Sequence, residues 1–187
     1  MLFVIGFLPA GAQQQGEAFS WSLGLQNVKT SELVPFSAPV RASTGEKYCL
    51  VINPDVNCYC YVVYESPDAA DAAVLYAGTL KKKENWHSTV MELKPPRGSE
   101  TLFVIMSKEE QKALAQMIAA YNSNPGSSQR RALMNEVFRI RSDISRFKEK
   151  PEKPMLMGGA VRGDPDKSQG VEFSGSATYV KTISIEH

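Results

Sequence analysis

At 187 residues the chain is long enough to bury a core without disulfides or metals, and short enough to form one compact body. Its 21 Lys and Arg nearly cancel its 20 Asp and Glu, so no long-range field draws it to nucleic acid or to an anionic membrane surface. No apolar run approaches the roughly 20 residues needed to cross a bilayer, so no transmembrane span is expected after signal removal.

Leu2 to Leu8 is apolar, and Ala10-Gly11-Ala12 stands before the polar Gln13-Gln14-Gln15. An apolar run ending in a small-x-small triplet is what signal peptidase accepts, so residues 1–12 read as an export signal cut after Ala12, with a periplasmic or secreted product. Met1 alone precedes the run, without Lys or Arg. Two alternatives therefore stay open: the signal begins upstream, or the segment is an ordinary first strand. Gln13 stands where a lipobox would need cysteine, and no lipid anchor is expected.

Residues 13–44 form a lead-in, in which Phe19-Ser20-Trp21-Ser22-Leu23 alternates as an edge strand would. Lys47 to Ile52 and Cys58 to Tyr64 are rich in β-branched and aromatic residues and apolar at both parities. With Asn53-Pro54-Asp55-Val56-Asn57 between them they read as a central β-hairpin covered on both faces. Three more strands follow at Ala73 to Leu80, Trp86 to Leu93 and Thr101 to Met106, punctuated by Lys81 to Asn85 and by Lys94 to Gly98.

The cysteines fall in this region. A two-residue turn would set Cys49 opposite Cys60 and permit a bridge, whereas a loop over Pro54 to Asn57 would set Cys49 against Val62. Three small buried residues are the plainer reading. No histidine lies within ligand spacing of the thiols, and no metal or cofactor is expected.

At Ser107-Lys108-Glu109-Glu110 the pattern becomes a capping box, after which Leu114, Met117, Ile118 and Tyr121 recur at helical spacing. A Pro-Gly turn within Asn122 to Ser128 separates a second helix, Gln129 to Lys150, whose Leu133, Val137, Ile140, Ile144 and Phe147 form an a/d seam. Pro151 and Pro154 return the chain to extended structure, with closing strands at Met155 to Val161 and Val171 to Ile185. Strands, a two-helix insertion over 108–150 and strands again predict a mainly β fold with an α insertion (α+β). The expected form is an antiparallel β-sandwich over 45–187 with a two-helix hairpin packed to one side.

No catalytic constellation emerges. His87 sits beside Trp86 in a strand, His187 ends the chain and is expected to fray, and no nucleophile elbow, phosphate loop or zinc helix occurs. Asp164-Pro-Asp166-Lys-Ser168-Gln-Gly170 alternates oxygen ligands as a calcium loop does, but its glycine comes one position late and Gly175 stands where a bidentate Glu belongs, which favours a solvated connection. Tyr48, Tyr59, Tyr61, Tyr64 and Tyr76 resemble a carbohydrate platform in composition, yet Tyr59 and Tyr61 are expected to share the core face of Leu50 and Ile52. Basic residues surround the second helix's seam. Its pattern is the same whether it packs on the first helix or on another chain, so Arg130, Arg131, Val137, Ile140, Arg141, Ile144 and Phe147 are the candidate partner-binding set.

Gly45, Tyr48, Asn57-Cys58-Tyr59-Cys60-Tyr61, Leu75-Tyr76, Pro96 before Gly98, and Glu100 leading through Phe103-Val104-Ile105 into Ser107 carry a family likeness. From Gly45 to about Leu114 the chain resembles a bacterial domain-of-unknown-function family of accessory modules, found attached to caspase-like peptidases, Ser/Thr kinases and envelope proteins. Tyr179 to Ile185 is similar to the last strand of members with a helical insertion, while Tyr76-Ala77-Gly78 departs from the Phe-Pro-Asn turn of many members. The resemblance implies a β-sandwich accessory module without shared catalytic residues. The functional expectation is a non-enzymatic, exported protein-interaction or structural module of the cell envelope, with envelope or periplasmic proteins or a second copy as partner. A small-ligand or glycan-binding domain on the tyrosine-rich sheet is the alternative.

Overall fold

The computed structural model describes residues 19–145, 153–156, 169–175 and 177–187. The expected signal, residues 164–168 of the calcium-like loop, Phe147 and residues 157–161 of a closing strand lie outside them. In chain order the strands are β1 (Phe19–Asn27), β2 (Leu33–Val34), β3 (Val40–Arg41), β4 (Lys47–Pro54), β5 (Cys58–Glu65), β6 (Ala72–Leu80), β7 (Trp86–His87), β8 (Met91–Glu92) and β9 (Ser99–Ser107). Helices α1 (Lys112–Ser123) and α2 (Ser127–Ser145) follow, then β10 (Lys153–Leu156), β11 (Gln169–Gly175) and β12 (Thr178–Glu186). The fold is mainly β with an α insertion, and no helix among the described residues is long and apolar enough to cross a membrane.

One sheet runs β10-β11-β1-β4-β7, with β2 on β1 and β8 on β4; the other runs β3-β12-β9-β5-β6. Alternation along the strands sends one parity of each sheet into a common core. Trp21, Leu23, Leu25, Leu50 and Ile52 of the first sheet meet Cys58, Cys60, Val62, Leu102, Val104 and Met106 of the second there, the packing that a two-layer sandwich predicts. The opposite parity of the second sheet, Tyr61, Val63, Phe103 and Ile105, packs against Leu114, Ile118 and Tyr121 of α1 and Leu133, Met134, Val137 and Ile140 of α2. Covered on both faces, β9 is buried without a break from Leu102 to Ser107.

Several expectations change. The central hairpin does not exist: β4 and β5 lie in different sheets. Asp55 donates its amide to the Ser20 carbonyl and accepts from the Ser20 amide and hydroxyl, and Lys83 donates to the Pro54 carbonyl. These bonds hold the end of β4 against β1, so the chain crosses the core to start β5. A turn composition cannot distinguish a hairpin from such a crossing, since both need the chain to bend at Pro-Asp. Cys49 therefore has no cross-strand relation to Cys60 or Val62, and all three thiols are free. Tyr61 faces the helices, not the face of Leu50 and Ile52.

β1 is interior, between β11 and β4, because a period of two identifies a buried face and says nothing of place in the sheet. Within Trp86 to Leu93 the Ser88 hydroxyl accepts the Leu50 amide at 2.9 Å in place of a backbone carbonyl, which leaves only the short β7 and β8 on β4. Val171 to Ile185 is two strands, β11 on β1 and β12 on β9, in different sheets. The capping box is not formed. Ser107 is held in β9 between Tyr59 and Thr178, its hydroxyl 3.0 Å from Thr178 Oγ1, so α1 begins four residues later, where the Gln111 amide donates to the Tyr61 hydroxyl.

Gly98 exchanges two 3.0 Å backbone hydrogen bonds with His187, and a Cβ added to it would lie 2.5 Å from Pro67 Cβ. The paired backbone cannot retreat from the proline ring. Gly98→Ala should cost about 1–3 kcal/mol of unfolding free energy, read from urea denaturation; an unchanged midpoint would refute this close approach.

Candidate functional site

α2 carries most of the residues that the sequence nominates for partner binding. Val137 and Ile140 are buried in the chain's own second core, together with Leu133 and Met134, and Ile144 packs half-buried against it. The seam is thus covered in cis, by α1 and by the helix-facing side of the second sheet. Arg130 is half-buried and its guanidinium Nη1 donates to the Ala69 carbonyl of the turn before β6. Arg131 and Arg141 are exposed, and Phe147 is outside the described residues.

One residue that sequence reasoning missed stands on this surface. Phe138 is 41% exposed, and its ring meets Phe103 edge-on at 5.6 Å and 80°. A signal was present: Arg131, Met134, Phe138 and Arg141 repeat at spacings of three, four and three, a stripe beside the main seam. Arg139, on the neighbouring stripe, is bound at 2.7 Å by both Glu136 and Asp143. Those bonds raise the Arg139 guanidinium above its ordinary range and hold the Glu136 carboxyl below its own. Arg131 and Arg141 form no ion pair with a described residue, because the described acids of α2, Glu136 and Asp143, lie on another face of the helix and pair with Arg139.

A second cluster lies where β3 and β12 end and β9 begins. His187 does not fray: its side chain is fully buried, with Nδ1 3.2 Å from Thr44 Oγ1 and Nε2 3.1 Å from Glu100 Oε1. The Nε2 contact is close but off the line of a hydrogen bond. Glu100, 5% exposed, also holds the Tyr64 phenol, which is pushed above its ordinary range first by burial and then by the nearby carboxylate. Arg41, Ala42, Gly98, Ser99, Glu186 and His187 line a shallow depression of 530 Å³ beside the cluster. The imidazole itself is sealed from that depression, and the cluster ties together four segments of the chain.

His87 is exposed and lies opposite Val51. Strand alternation puts Cys49, two residues before Val51, on the same side; its Sγ donates to Gln26 Oε1 at 3.5 Å, and burial raises the thiol. Cys58 is pushed up to about 11 by burial, then by Asp55 and Glu84, and Cys60 is raised well above its usual value by burial. Such thiols are poor nucleophiles near neutral pH. The five tyrosines occupy separate environments. Tyr48 is buried and donates to Glu46, Tyr61 accepts from the Gln111 amide, Tyr64 serves Glu100, Tyr76 donates to the Thr79 carbonyl, and Tyr59 is half-buried toward the helices.

Two outcomes follow from these environments. Glu100→Ala strips the buried imidazole and the half-buried Tyr64 phenol of their shared neighbour and should destabilise the fold by about 1–3 kcal/mol in urea titration; an unchanged midpoint would show that the cluster is not coupled. Iodoacetamide at about pH 8 should leave Cys58 and Cys60 unlabelled in the native protein and label them in urea, since raised thiol values leave almost no thiolate. Mass-spectrometric detection of rapid native labelling would contradict that burial.

Comparison of the chain with protein-family models, with curated proteins and with solved structures returns no match.

Proposed function

We propose that this chain is a non-enzymatic, exported protein-interaction module of the bacterial cell envelope that presents the outer face of α2 to a partner. The observation that carries the reading is Phe138: a large aromatic ring, 41% exposed, held against Phe103 and standing between Arg131 and Arg141. Aromatic and arginine side chains dominate binding energy in protein interfaces, and a ring already fixed by packing loses little freedom on docking. The apolar Leu2 to Leu8 run with Ala10-Gly11-Ala12 supports export, and the resemblance of Gly45 to Leu114 to accessory modules supports a role beside other proteins.

The test replaces Phe138 with the photo-crosslinker p-benzoylphenylalanine in the source cell, with the exposed Val90 as a control position. Irradiation should give discrete protein adducts at position 138 and none at position 90, from chains whose N-terminus, by sequencing of the exported fraction, begins at Gln13. Absence of adducts at position 138, together with a purified protein that sediments as a monomer, would remove the proposal.

A further inference from the structure

Resting on the α2 reading, we infer that the partner presents an acidic protein segment, an apolar stripe flanked by carboxylates, and that the partner is not a second copy of this chain. The stripe sets the requirement. Arg131 precedes Phe138 by two helical turns and Arg141 follows it by less than one, so two guanidinium groups span roughly 15 Å of helix with the ring between them. The stripe itself carries no carboxylate among the described residues; Glu136 and Asp143 lie roughly 150° round α2 from Phe138 and are both held by Arg139 at 2.7 Å, so they offer nothing to Arg131 or Arg141. Phe138 is fixed by its edge contact with Phe103, while Met134, on the same stripe, is buried beneath it in the second core. The surface is therefore one packed apolar point with positive charge on both sides that no described residue pairs.

Two copies docked through this face would bring four arginines into one interface with no carboxylate of the stripe to offset them, and like charges across an interface disfavour pairing. A segment bearing Glu or Asp on either side of a leucine-like stripe meets both needs at once. Arginine suits that role because its planar fork takes a carboxylate through two parallel hydrogen bonds. Nucleic acid and anionic lipid share the negative charge, but the chain's near-zero net charge supplies no broad field for them, and a single ring between two arginines forms no groove.

Fluorescence anisotropy with the full chain and defined probes tests the inference. The probes are a labelled amphipathic helix of leucine and glutamate, the same helix with lysine for every glutamate, a DNA duplex, and vesicles containing phosphatidylglycerol. The glutamate helix should bind, and its affinity should fall about tenfold or more both in Phe138→Ala and in the double variant Arg131→Glu, Arg141→Glu, and should fall further with added salt. Circular dichroism melts of both variants confirm that the fold persists, as expected for exposed side chains. Equal binding of the lysine helix, preference for DNA or vesicles, an unchanged affinity in the charge-reversed variant, or no binding to the glutamate helix would each overturn it. Crosslinks at position 138 that survive the charge reversal would leave the α2 reading standing while sinking this inference; absence of crosslinks at position 138 when Arg131 and Arg141 are intact would sink the reading itself.

Discussion

Burial of the second sheet on both faces is the constraint from which the rest of the structure follows. β5 and β9 have a core on either side, one shared with the first sheet and one shared with the two helices. Each strand must then carry apolar residues at both parities, and Val62 with Val63, or Val104 with Ile105, show how neighbours along one strand serve different cores. The middle strands of a sheet so placed have no face left for solvent or ligand. Any functional surface is pushed outward, to the helices, to the outer side of the first sheet, or to the ends of strands.

The helical layer is where that displacement becomes visible. α2 buries Leu133, Val137 and Ile140 to cover the second sheet, which leaves its far side free of structural duty. Phe138 sits at the margin between the two regimes, partly packed on Phe103 and partly in solvent. The same margin carries the arginines that Glu136 and Asp143 do not neutralise. The polar cluster at the end of β12 has the opposite character. Glu100, His187, Tyr64 and Thr44 come from segments far apart in the chain and meet around a buried imidazole and carboxylate, with Tyr64 half-buried and Thr44 exposed at the margin.

Local reading recovers the elements because local physics makes them. Ala73 to Leu80 and Thr101 to Met106 are legible as strands, and the stripe of Leu114, Met117, Ile118 and Tyr121 as a helix, since side-chain period follows backbone geometry alone. Errors concentrate where a distant partner overrules a local signal. Ser107 and Glu110 spell a cap, yet the β-ladder with Tyr59 and Thr178 holds Ser107 in the strand. Asn53 to Asn57 spells a turn, yet bonds from Ser20 direct it across the core. Ser88 interrupts a strand through one hydroxyl, and composition does not distinguish that hydroxyl from one in solvent.

The candidate surface divides the same way. Arg131 and Arg141 were nominated from sequence and are exposed, whereas Val137 and Ile140, nominated with them, are buried in cis. Sequence by itself determined that a mainly β chain carries two amphipathic helices between its strands, because periods of two and of about 3.6 residues are properties of each segment alone. Only the tertiary structure decided which sheet each strand joins, which layer covers the α2 seam, and that Phe138 and the Glu100 to His187 pair occupy the places they do. Those outcomes depend on contacts between residues separated by tens of positions, and an apolar period is the same whichever surface comes to cover it.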